Sequence, residues 1–179
     1  MSTPASLPDI SSLPALPPAE KTLALDLLFE PSPVIHHLLQ PLLDSPFPSY
    51  NALVDSAHGA FVSLASSTDP EGKAKLHSIL GSHPRLGAKK VESAQSAAEQ
   101  AQLAAGAAQL AALNEEYEAR FPGLRYVVFV NGREKDVIME DMRRRIERGD
   151  IAAEEQEAIQ VLQTKPNPSE PSWPGRTNA

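Results

Sequence analysis

Apolar residues recur along this chain at helical spacing, and prolines interrupt the pattern at almost every boundary. After Glu20, Leu23, Leu25, Leu27, Leu28 and Phe29 predict a short amphipathic helix. It stops at Glu30-Pro31-Ser32-Pro33, because a residue preceding proline avoids the α region. A second helix is predicted over Val34 to Leu43 and is broken by Asp44-Ser45-Pro46-Phe47-Pro48. Ser49 is placed to cap a third, running through Leu53, Ala57, Phe61 and Leu64. Asp69-Pro70 opens a fourth, with Leu76 and Leu80 inward, which ends before His83-Pro84.

A loop over 81–92 follows, then a long Ala/Gln/Glu-rich helix from Ser93 to Arg120, with Gly106 as its weak point. Phe121-Pro122-Gly123 ends it. Tyr126-Val127-Val128-Phe129-Val130 is a β-branched and aromatic run leading into Asn131-Gly132, locally a strand and turn. With no partner strand elsewhere in the chain, it reads as a buried extended segment. Helices over Lys135 to Arg148, closed by Gly149, and over Ala152 to Gln163 complete the pattern. Prolines at 4, 8, 14, 17 and 18, and again from Lys165 onward, remove backbone donors and predict disorder at both ends. The expectation is an all-α, single-domain bundle of about eight short helices over residues 19–164. Pro/Ser-rich segments, 1–18 and 165–179, flank it.

Composition narrows the function. A chain of 179 residues suffices for one domain with a sizeable core. A net charge of −7 argues against a nucleic-acid partner. The basic run Arg143-Arg144-Arg145 lies among Glu140, Asp141 and Glu147 and reads as a solvated helix face. No apolar stretch approaches the roughly 18 residues of a membrane span, so no membrane partner is expected. The chain has no cysteine, which excludes disulfides and thiolate ligands and suits a reducing compartment. MSTPASLPDI lacks the basic start and apolar core of a secretory signal, and Thr177-Asn178-Ala179 is not a peroxisomal Ser-Lys-Leu address. The expected compartment is the cytoplasm, with the peroxisome as the alternative.

Candidate chemistry concentrates between residues 82 and 133. His83 precedes a proline in a polar loop, and an imidazole there can exchange a proton near neutrality. Its plainer role is to cap the preceding helix. Ser96, Glu99 and Gln100 fall at i, i+3 and i+4, on one helix face flanked by the small residues Ala97, Ala98, Ala101 and Ala104. That face is ordinarily a polar surface stripe, or a capping box if the helix starts later. The run Val128, Phe129, Val130, Asn131, Gly132 would present backbone N–H and C=O groups at an apolar wall, where a planar polar ligand could meet them. Arg133 is placed to meet an anionic group. Histidines 36, 37, 58 and 77 have no carboxylate-bearing ligand spacing, so no metal is expected.

Together, SHPRLG at 82–87, the Ser96-x-x-Glu99-Gln100 pattern, LNEEYEARFPGLRYVVFVNGR and IMEDMRRRI resemble the 2-oxo-4-hydroxy-4-carboxy-5-ureidoimidazoline (OHCU) decarboxylase family. Phe29-Glu30-Pro31-Ser32-Pro33 is similar to that family's FE-x-SP turn, and the resemblance runs in order over roughly residues 25 to 160. Arg85 and the Val130-Asn131-Gly132-Arg133 run look like fungal members. The resemblance implies an all-helical, commonly homodimeric enzyme of urate breakdown that needs no cofactor. Such an enzyme converts OHCU to (S)-allantoin and carbon dioxide. Carried over by position, His83 takes the catalytic proton donor and Glu99 its partner carboxylate. Pro84, Ser96, Ala97, Ala98, Gln100 and Val128 to Gly132 take the substrate-binding positions.

The chain departs from the family after Gln163. Members generally continue into a helix ending in an Arg-Leu-like sequence whose arginine contributes to the active site. Here Pro166, Pro168, Pro171 and Pro174 abolish that helix, and Arg176 does not take over the role. This departure keeps a second reading open, a helical module that binds an allantoin- or purine-like ligand without turnover. A third is a scaffold whose Pro-rich ends recruit partners as polyproline II segments.

Overall fold

Most helices of the chain begin where a side chain or a proline meets the unbonded N–H groups of a first turn. The computed structural model describes residues 7–83, 85–86, 97–128 and 133–163, with only the backbone described for 97–105. Among these residues lie seven α-helices: α1 Pro18–Leu28, α2 Pro33–Leu39, α3 Tyr50–Ser66, α4 Pro70–Leu80, α5 Ala97–Arg120, α6 Lys135–Arg148 and α7 Ile151–Gln163. Two 3₁₀ segments, Ile10–Ala15 and Gln40–Asp44, accompany them. The all-α expectation holds, with no strand among the described residues.

Pro18, Pro33 and Pro70 each occupy a first helical turn, where a missing N–H costs nothing. Ser32 Oγ accepts from the Ile35 N–H, Ser49 Oγ from Ala52 and Asp69 Oδ2 from Gly72. Gly149 ends α6 at φ +63°, the left-handed conformation that favours glycine. The predicted second helix, Val34 to Leu43, is instead divided. Pro41 cannot donate within an α-helix, and the chain tightens to 3₁₀ geometry from Gln40.

The expectation of a disordered segment through residue 18 needs correction. Asp9 caps the 3₁₀ turn at Ile10–Ala15 by accepting from Ser11 N–H at 2.8 Å. Leu7, Ile10, Leu13 and Leu16 are spaced three apart: Ile10 and Leu13 share one face of the 3₁₀ turn, and Leu7 and Leu16 flank it at the same interval. Leu13 is 2% exposed, and the other three pack against the core. Lys21 Nζ donates to Pro14 O at 3.0 Å, and Tyr50 Oη to Pro8 O at 2.8 Å. The buried Leu13 and these hydrogen bonds hold residues 7–18 in place despite their prolines. Residues 1–6 and 164–179, including the expected Pro-rich tail, lie outside the described residues.

The core is built on α3, which packs against α7 and α4, while α5 lies along α6. Leu53, Ala57 and Phe61 point inward from α3, and Phe61 meets Phe29 edge to face, with ring centroids 5.8 Å apart. The segment after Leu124 runs without strand pairing among the described residues, as an irregular stretch with Tyr126 and Val127 buried. Its Val127 carbonyl, lacking a sheet partner, accepts instead from Arg145 Nη1 at 3.3 Å.

Candidate active site

His83 emerges from the C-terminal end of α4. Gly81 N–H bonds back to His77 O at 2.8 Å, and both Ser82 N–H and its hydroxyl bond to Ile79 O. Position 81 has to be glycine-sized. A Cβ there would lie 2.6 Å from the Gly123 carbonyl oxygen, so the end of α4 and the turn after α5 pack backbone against backbone. The chain then carries His83 inward, where it is 6% exposed.

The carboxylate that approaches this imidazole among the described side chains is Glu30, with Oε1 3.7 Å from His83 Nδ1. Glu30 sits in the turn between α1 and α2, and both neighbours of that turn are fixed. Phe29 is buried against Phe61, and Ser32 caps α2. The sequence reading recognised this turn as a motif and gave its glutamate no role.

The loop beyond His83 is held by α5. Arg85 Nε and Nη2 donate to the two oxygens of Glu118 at 2.8 and 2.7 Å, a two-pronged grip. Arg125 Nε lies 3.5 Å from Glu118 Oε1, on the segment leading into Val128. One turn earlier on α5, buried Asn114 donates from Nδ2 to Leu86 O at 3.1 Å. The Arg85 guanidinium is the main reason that the Glu118 carboxyl titrates below its usual range.

A buried charge network secures the other predicted wall. Arg145 donates through Nε and Nη2 to Glu154, which has no exposed surface, and Tyr117 Oη donates to Glu154 Oε2 at 2.6 Å. The Arg145 guanidinium also lies over the Tyr126 ring at 4.8 Å, and Tyr126 Oη donates to Asp141 at 2.7 Å. Burial opposes the charge on Arg145, but its bonds to Glu154 outweigh that and hold the guanidinium protonated. Burial also pushes the Tyr117 and Tyr126 phenols up, reinforced by their carboxylate partners. The basic run at 143–145 is therefore not a uniformly solvated face. Arg144 is exposed, while Arg145 is 3% exposed and ties α6 to α7. The signal for this lay in the opposite charge at Glu154, one helix later, which helical periodicity alone does not pair.

Val128 borders a cavity of about 400 Å³ between α6 and α7, shared with Arg133, Asp141, Arg145 and Gln156. His83 does not line this cavity. The backbone of Ala97, Ala98, Glu99 and Gln100 forms the first turn of α5, and their side chains are outside what is described. Pro84, Ser96, Phe129, Val130, Asn131 and Gly132 likewise lie outside the described residues. His36 and His77 serve as structural partners of Asp26 and Glu155, at 2.6 and 2.8 Å. Among the described residues no group of three or more His, Asp or Glu side chains is arranged to hold a metal, and no helix is long and apolar enough to cross a membrane.

The described residues form a helical domain with a buried imidazole, His83, and one carboxylate, Glu30, 3.7 Å from it. The family model for OHCU decarboxylase matches residues 14–164, most of the chain, and the protein belongs to that family. Membership supports a decarboxylase function in purine catabolism, acting on a small molecule. Comparison with curated proteins finds no match.

Proposed function

We propose that this protein converts OHCU to (S)-allantoin and carbon dioxide in urate breakdown, without a cofactor, with His83 delivering the proton. The family match over residues 14–164 carries this reading, because it spans the two segments on which the proposed acid–base pair stands, α4 with its loop and α5.

The reaction removes the carboxylate from one ring carbon, whose hydroxyl becomes a carbonyl, delivers a hydrogen to the neighbouring ureido-bearing carbon, and consumes one proton overall. The C–C bond to the carboxylate breaks, carbon dioxide leaves, and the adjacent ring imine accepts the electron pair. That built-in acceptor removes the need for an external electron sink. The protein then has to hold the carboxylate perpendicular to the ring, steady the developing negative charge, and protonate one face only. His83 as imidazolium answers the last two demands, and a carboxylate at Glu99 favours its charged form. Pro84, Ser96, Ala97, Ala98, Gln100 and the stretch Val128 to Gly132 are the proposed substrate contacts, matching the ureido and ring amides. The reading includes a homodimer and a cytoplasmic or peroxisomal setting. A stereospecific circular-dichroism assay on freshly generated OHCU tests it.

A further inference from the structure

An imidazole that delivers a proton to a carbon has two unlike nitrogens, and the reaction works only if the correct one faces the substrate. The structure assigns that choice to Glu30: we infer that it is a positioning residue that faces His83 Nδ1 and leaves Nε2 to carry the proton to the substrate carbon. The inference rests on the reading of His83 as proton donor and adds to it a second acid group, from a separate part of the chain.

Three observations carry it. Glu30 Oε1 lies 3.7 Å from Nδ1, within ion-pair reach and longer than a hydrogen bond. The His83 side chain is 6% exposed and the Glu30 side chain 29%, so water screens their interaction only in part. Glu30 is also held from both sides: Phe29 is locked into the core against Phe61, and Ser32 is committed to capping α2. This turn does not merely happen to pass the histidine. It fixes the backbone on either side of one carboxylate and delivers that carboxylate to one ring nitrogen.

The physical consequence follows from the asymmetry of the ring. A carboxylate beside Nδ1 favours a proton on that nitrogen, so in the neutral ring Nε2 holds the lone pair. It also stabilises the imidazolium that must exist before each turnover. Carboxylate-oriented histidines in hydrolases divide the labour in the same way, the acid group fixing tautomer and ring orientation while the far nitrogen moves the proton. Contacts of this kind are often long in the empty enzyme and shorten when substrate closes the site.

The test compares Glu30→Ala and Glu30→Gln in the full chain by steady-state kinetics and by ¹⁵N NMR of the His83 ring. Glu30→Ala is expected to lower kcat roughly tenfold to a hundredfold with KM little changed, and to move the neutral ring away from the Nδ1–H tautomer. Glu30→Gln retains an oxygen acceptor without charge and is expected to fall between Glu30→Ala and wild type in both readouts. It also carries the test if Glu30→Ala does not fold. Wild-type kcat in both variants overturns the inference, and so does an unchanged tautomer, since a merely structural glutamate would lower stability without touching the ring protons. If wild type itself does not accelerate OHCU decarboxylation, the functional reading fails, while the NMR measurement still decides whether Glu30 governs His83.

Discussion

Arg85, two residues beyond His83 in the loop after α4, grips both oxygens of Glu118 on α5. The same carboxylate lies 3.5 Å from Arg125, which leads into the predicted substrate wall at Val128. Glu118 thus stands between two segments that the proposed reaction needs in fixed relation. The pair is largely at the surface, so its direct contribution to stability is expected to be small. Arg85→Ala and Glu118→Ala should each lower kcat/KM while shifting the unfolding midpoint little. Because both remove one contact, the double variant should be scarcely worse than either single one. Fully additive losses would show that the contact does not act as a unit.

Two glycines in helical surroundings should respond in opposite ways to the same change. Gly81→Ala drives a methyl against the Gly123 carbonyl, and backbone on both sides must shift, taking His83 with it. Gly59, inside α3, has nothing within 4 Å of an added Cβ. Gly59→Ala is therefore expected to stabilise by roughly 0.5–1 kcal/mol, and Gly81→Ala to lower both stability and activity. Urea unfolding of the two variants checks this, and a neutral Gly81→Ala would contradict the close packing described at that point.

Glu154 is fully buried and accepts from Arg145, Arg148 and Tyr117. Removing it leaves a guanidinium that is 3% exposed with only the more peripheral carboxylates of Glu157 and Asp141, at 3.3 and 3.7 Å. Glu154→Ala is expected to cost about 3–5 kcal/mol, as for other broken buried pairs. A loss below about 1 kcal/mol by denaturant unfolding would mean that water or Asp141 replaces it readily.

All three tyrosines of the chain, Tyr50, Tyr117 and Tyr126, have phenols raised above their ordinary value, burial being the first cause in each. For Tyr50 the value is pushed up to about 12, with the Asp9 charge adding to burial. A raised folded-state value favours the neutral phenol in the fold. That stabilisation is fully present below the unfolded value of 10.0 and disappears as pH climbs through the folded one. Ultraviolet titration of the native protein should show almost no tyrosinate near pH 10, with ionisation accompanying unfolding near pH 12 and above. A tyrosine titrating normally in folded protein would contradict the docking of the N-terminal segment or of the Arg145 network.

Local signals in the sequence reached the fold well. Prolines and capping side chains act within a few residues, so Asp69-Pro70 and Ser49 announced α4 and α3 where they stand. The Pro-rich start was read from composition, and the three-residue spacing of Leu7, Ile10, Leu13 and Leu16 that buries it went unused. Within the candidate site, His83 stood out in the sequence because a histidine before proline is conspicuous. Glu30 was not, because the turn that carries it lies more than fifty residues earlier and only tertiary packing brings the two within 3.7 Å. Arg145 was misread for the same reason: its partner Glu154 stands on the next helix.

The central claim is that His83 supplies the proton that makes decarboxylation fast and one-handed. Its most direct measurement is the circular-dichroism assay on freshly generated OHCU, run for wild type and His83→Gln with folding checked in parallel. The expected result is rapid formation of (S)-allantoin by wild type, and a folded variant whose rate falls by at least roughly 10²-fold, the scale of a lost general acid. A wild-type protein that gives no rate above the spontaneous reaction, or a variant as fast and as stereospecific as wild type, would contradict the account.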